Sequence, residues 1–94
     1  MTNESNRRQA HRTPVEGEHA FGQLIIGAEH IPVLIADESI GGLGVVAVNV
    51  SDLESGAEIV FESKVRHAAG RVGSLKYIRL ADVDIYRIGL EWNN

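Results

Sequence analysis

No stretch of twelve residues in this chain keeps the apolar period of a helix, whereas short apolar runs broken by glycine recur from residue 19 to the end. That punctuation restricts the fold to strands joined by short turns. Residues 19–27 form the first candidate strand. Pro32 interrupts the second run, which Val33 to Ala36 continue, so Pro32 belongs at a strand start or an edge. Val45 to Val50 is β-branched and apolar, as in a strand buried inside a barrel. Ile59, Phe61, Ser63 and Val65 alternate with Val60, Glu62 and Lys64, and Leu75 to Leu80 forms a further run. Tyr86, Ile88, Leu90 and Trp92 recur at period two, which predicts a half-buried strand with an aromatic-rich inner face. Between these runs, Asp37 to Gly44 reads as a turn-rich insertion in which Gly41, Gly42 and Gly44 permit positive φ. Residues 51–56 read as a turn of at most one helical turn, opened by a capping-box pattern of Ser51 and Glu54. Gly70 and Gly73 read as a connection. Five to seven strands with turns at this spacing predict an all-β domain, a small antiparallel barrel or sandwich. Phe61, Tyr86 and Trp92 fit its core better than a base-stacking platform.

With 94 residues, one small domain is expected. The absence of cysteine excludes disulfides, cysteine zinc sites and thiol nucleophiles. No apolar run reaches the length of a membrane-spanning helix, and Met1 to Arg8 has no apolar segment of the kind a secretory signal carries. A cytoplasmic protein without membrane insertion is expected. Of the net charge of −4, the first twelve residues hold +2, from Arg7, Arg8 and Arg12 against Glu4. The remaining residues hold −6, from six basic and twelve acidic side chains. Residues 1–14 thus read as a flexible basic arm on an acidic barrel domain of residues 15–94. An acidic body repels a polyanion, so duplex nucleic acid is not an expected partner.

Two short patterns carry chemistry. Arg8 and Arg12 stand four apart, with Arg7 beside them. A guanidinium is a planar fork of donors that matches phosphate oxygens and stacks on bases. Taken alone, the arm reads more simply as a solubilising tail. The second pattern runs from Asp37 through Ser39 to Gly41 and Gly42. Ser39 can donate to a phosphate, Asp37 can accept from a guanine edge, and the glycines let a ligand approach the backbone. On its own this is a glycine-rich turn with local side-chain bonds. His11, His19, His30 and His67 lack metal-ligand spacing, and Ser39, His67 and Asp82 come without a nucleophile elbow. No enzyme, metal or cofactor is expected.

Together, Arg8-Gln-Ala-His-Arg12 and Asp37-Glu-Ser-Ile-Gly-Gly42, followed by Leu43-Gly-Val-Val and by Tyr86-Arg-Ile-Gly-Leu-Glu-Trp92, resemble the PilZ family over about residues 7–92. The resemblance implies a six-stranded antiparallel β-barrel of Greek-key type that binds the bacterial second messenger cyclic diguanylate (cyclic di-GMP). By position, Arg8 and Arg12 match the arginines that grip phosphate and guanine, and Asp37, Ser39 and Gly42 match the second motif, with Gly41 a backbone contact. An arginine at the position of Arg7 tends to accompany a stacked ligand pair, which implies two ligand molecules per protomer. The sequence ends two residues after Trp92, so little or no C-terminal helix is expected. The implied function is a receptor that relays the signal to a protein partner. The alternative is a degenerate module that meets its partner without ligand.

Overall fold

The computed structural model describes residues 13–14, 20–50 and 53–93. The arginines of the arm and the Ser51 end of the capping-box pattern lie outside the described residues. Seven strands follow in order: β1 (Thr13–Pro14), β2 (Phe21–Ile26), β3 (Glu29–Ser39), β4 (Gly42–Val48), β5 (Glu58–Glu62), β6 (His67–Leu80) and β7 (Val83–Trp92). Thr13 takes the extended backbone that Pro14 imposes on it. No α-helix occurs among the described residues, and so none there is long and apolar enough to cross a membrane.

Strands β2 to β7 close an antiparallel barrel. β2, β3 and β4 are joined by hairpins, and β5 returns to lie beside β2, which is the Greek-key order. β5, β6 and β7 follow as neighbours, and β7 pairs with β4 to close the ring. Inside lie Leu24, Val33, Ile35, Leu43, Val45, Ala47, Ile59, Phe61, Val72, Ile88 and Leu90, all buried. No polar side chain is buried among the described residues. The period-two reading of the last strand holds: Ile88 and Leu90 are buried, and Tyr86 and Trp92 pack against the core. Phe61 meets Trp92 with ring centroids 6.2 Å apart. Pro32 falls where β3 pairs with β2 and, among the described residues, has no neighbour on its other side.

Three expectations change. Asp37 to Gly44 is not an insertion: β3 runs to Ser39, β4 starts at Gly42, and only Ile40 and Gly41 form the turn. Gly41, Gly42 and Gly44 do not use positive φ; Gly27 (φ 62°) and Gly56 (φ 90°) do. The glycines at 42 and 44 serve close approach instead, since a Cβ on Gly42 would meet the Leu90 carbonyl and one on Gly44 would meet the Asp37 carboxylate. Gly70 and Gly73 lie within β6 rather than between strands, and the connection is residues 63–66. Gly70 makes room for the Glu91 backbone and the Trp92 ring, and Gly73 for the Glu91 side chain at a register shift between Val72 and Ser74.

Candidate functional site

The side chains of a strand alternate, so Asp37 should share the inward face of Val33 and Ile35. A register shift between Ile35 and Asp37 inserts Ala36 as an extra residue. This bulge reverses the alternation and turns Asp37 and Ser39 to the outer face of the barrel. Across β3, β4, β7 and β6, cross-strand partners then line up in rows on that face. Asp37 stands beside Gly44, Gly44 beside Gly89, and Gly89 beside Ser74. In the next row, Ser39 stands beside Gly42 and Gly42 beside Glu91. On the other side, Val46 stands beside Arg87 and Arg87 beside Lys76.

Three glycines thus leave a bare floor of backbone, with polar and charged side chains around it. Gly44, Gly89, Ser74, Lys76 and Arg87 line a recess of about 160 Å³ in that floor. Arg87 Nη2 donates to Asp37 Oδ2 at 2.9 Å and fixes the carboxylate over Gly44. The Lys76 ammonium makes no hydrogen bond or ion pair with another described residue, so it can serve an anion. Glu91 lies 3.4 Å from Arg71 Nε, which offsets its charge at the edge of the site. Ile40 stands almost wholly in solvent at the adjoining turn, and the Gly41 carbonyl accepts from the Trp92 N–H at 3.0 Å.

β1 completes the arrangement. Pro14 pairs with Asp37 and Thr13 with Glu38, so the chain enters the barrel domain along the motif strand itself. Asp37, Ser39, Gly41 and Gly42 are brought together at one end of the β3–β4 hairpin. Arg7, Arg8 and Arg12 lie outside the described residues. Sequence reasoning missed Arg87, Lys76, Ser74 and Gly89. Arg87 was findable as an outward residue, because it alternates with Tyr86 and Ile88. Its meeting with Asp37 depends on strand order and register.

Other groupings do not converge. His67 opens β6 and Asp82 lies in the turn after its far end, so Ser39, His67 and Asp82 form no triad. Among the described residues no three His, Asp or Glu side chains gather as metal ligands. A wider, open groove of about 760 Å³ lies at the β5–β6 connection, between Phe21, Pro32 and Val65, and contains none of the motif residues. No family model and no curated protein matches the chain.

Proposed function

We propose that the chain is a PilZ-like receptor that binds cyclic diguanylate without chemical turnover, in the cytoplasm, and passes the signal to a protein partner. The observation that supports this reading is the pairing of β1, which follows the arginine motif directly in the chain, with the strand that carries the second motif. β1 pairs with β3 at Asp37, and Arg12 is covalently bonded to Thr13. Consecutive Cα atoms are about 3.8 Å apart, so an Arg12 side chain has the reach to meet a ligand seated at Asp37 and Ser39.

The chemistry of the site fits the ligand. The glycine floor admits a flat base close to the backbone. Asp37 accepts from a guanine N–H edge, Ser39 donates to a phosphate oxygen, and Lys76 and Arg87 add positive charge on the opposite wall. Arg7, Arg8 and Arg12 close over the phosphates from the arm and hold two stacked ligand molecules per protomer. Fixing each arm residue costs about 1–2 kcal/mol, which the arginine contacts must offset. The relay draws on the apolar side chains that continue the Lys76 and Arg87 row across the barrel: Val46, Leu34 and Phe21, of which the last two are exposed. A partner seated there would touch both protein and ligand.

Calorimetric titration with cyclic diguanylate tests the reading, beside an Arg8→Ala/Arg12→Ala double variant. Binding by the wild type and none by the variant supports it. Loss of one buried charge-assisted pair costs roughly 2–5 kcal/mol, enough to abolish micromolar binding. No heat and no thermal shift with the wild type would overturn it. One observation favours the second reading, a ligand-free interaction module: Asp37 already holds Arg87. In that case the carboxylate and its glycine are parts of the barrel wall, and the wild type gives no heat.

A further inference from the structure

A closed barrel has no free strand edge, but the β6–β7 hairpin outgrows this one. β5 pairs with β6 only from His67 to Arg71, with Ala57 and Gly56 extending the contact to Val72 and Ser55 reaching the Gly73 carbonyl at 3.5 Å. From Ser74 to Leu80, no described residue pairs with the outer edge of β6. The hairpin turn fixes which backbone groups face that edge. Ala81 (φ 49°) and Asp82 (φ 67°) form a two-residue turn flanked by Leu80 and Val83, which therefore exchange hydrogen bonds. By alternation Ile78, Lys76 and Ser74 bond to β7, and the N–H and C=O groups of Leu75, Tyr77 and Arg79 point outward.

This edge is apolar as well as unpaired. Tyr77, Ile78 and Leu80 expose 53%, 58% and 63% of their surface. Proline is absent from it, and its guanidinium is occupied: Arg79 lies 3.3 Å from Asp84 and 3.9 Å from Asp82 on the same hairpin. The first twelve residues are a poor occupant, being net positive with no large apolar side chain after Met1, while the edge carries Lys76.

We propose that the occupant is a second copy of this chain, joined β6 to β6 in antiparallel pairing about a two-fold axis at Ile78. The register follows from the residue order. A two-fold axis perpendicular to the sheet pairs residues of like face, so the axis falls on a residue. An axis at Lys76 or Arg79 sets like charges opposite each other, and one at Tyr77 sets Leu75 against Arg79. At Ile78 the isoleucine meets its own copy, Tyr77 meets Arg79 of the second copy in cation–π reach, and Lys76 lays its stem along Leu80. A contact confined to the edge from Ser74 to Leu80 is smaller than the roughly 800 Å² per copy of a standard interface, so the dimer is reversible and concentration-dependent. This inference stands apart from ligand binding.

The absence of cysteine makes the test direct. At the axis, Ile78 is its own non-hydrogen-bonded partner, with Cβ atoms about 4.5–5.5 Å apart, near the range a disulfide spans. Ligand-free wild type is sedimented from about 10 to 500 µM, where mass action moves it from monomer to dimer. Ile78→Lys moves that transition to at least tenfold higher concentration. Under mild oxidation Ile78→Cys becomes a covalent dimer at least tenfold faster than Val65→Cys, an exposed control on the β5–β6 connection. A wild type that stays monomeric throughout, an unshifted Ile78→Lys, or equal cross-linking of the two cysteine variants would each overturn the proposal.

Discussion

Asp37 on β3 and Arg87 on β7 lie 50 residues apart in the chain, yet Arg87 Nη2 donates to Asp37 Oδ2 at 2.9 Å over the intervening strand β4. The contact exists because β4 carries Gly44 between them. A side chain at position 44 would take the space that the carboxylate occupies. One residue pair thereby fixes the orientation of the acidic group at the head of the motif strand, and ties β3 to β7 across a third strand.

Arg87→Ala removes the guanidinium that holds Asp37. The arginine is about half exposed and the carboxylate mostly covered (side-chain exposures 55% and 15%). The expected loss of stability is therefore modest, about 1 kcal/mol, read by urea denaturation. Affinity for cyclic diguanylate should fall at least about tenfold, because the carboxylate loses its fixed position and the recess loses a cation. Unchanged affinity in a folded Arg87→Ala protein would remove the barrel wall from the proposed site.

Gly44→Ala tests the floor rather than the wall. Its Cβ would stand 2.7 Å from Asp37 Oδ1. The carboxylate is the end of a side chain and can swing away, so the barrel survives, with a cost of about 1 kcal/mol for the disturbed ion pair. Ligand binding should weaken at least as much as in Arg87→Ala. A folded Gly44→Ala protein that binds as the wild type does would count against a ligand lying on this floor.

Much of the barrel can be read from residue order. The apolar alternation of Tyr86 to Trp92 and of Ile59 and Phe61 identifies the inward positions, and glycine punctuation limits the chain to strands. The two bulges cannot be read this way. Counting from Val33 and Ile35 by twos sends Asp37 into the core, and only the extra residue at Ala36 sends it out. Likewise Gly70 and Gly73 resemble a connection until the path of Glu91 and Trp92 across them is known. Register is set by cross-strand pairs, which local spacing does not encode, so the grouping of Asp37, Ser39, Gly41 and Gly42 was legible while their meeting with Arg87, Lys76 and Ser74 was not.

Gly41 and Gly42 are adjacent in sequence but should respond oppositely to alanine. A Cβ on Gly42 would meet the Leu90 carbonyl, a backbone atom of the β4–β7 ladder that cannot swing aside. Gly42→Ala should therefore destabilise the barrel by about 2 kcal/mol or more. A Cβ on Gly41 meets nothing within 4 Å, and its φ is not positive. Gly41→Ala should lie within about 0.5 kcal/mol of the wild type or gain slightly from reduced freedom in the unfolded chain. Urea midpoints compare the two directly; a Gly42→Ala midpoint no lower than that of Gly41→Ala, with both near the wild type, would mean that Gly42 has no packing role.

Tyr77 and Asp84 form a surface bond whose contribution depends on alkaline pH. Its hydroxyl donates to Asp84 Oδ1 at 2.8 Å. Ionising the phenol would break that bond and set two anions together, so the bond to Asp84 raises the Tyr77 pKa above its usual 10.0, against a smaller lowering by Arg79. A pKa higher in the folded than in the unfolded chain means a contribution that is complete below the unfolded value and lost as pH rises through the folded one. Wild type and Tyr77→Phe should therefore differ by a constant thermal midpoint offset up to about pH 9, an offset that shrinks above about pH 10. Lysine deprotonation affects both proteins alike and cancels in the comparison. The difference in tyrosinate absorbance between the two proteins isolates Tyr77, and its midpoint should lie above that of the urea-unfolded wild type. Parallel stability curves throughout the alkaline range would show that the bond to Asp84 does not form in solution.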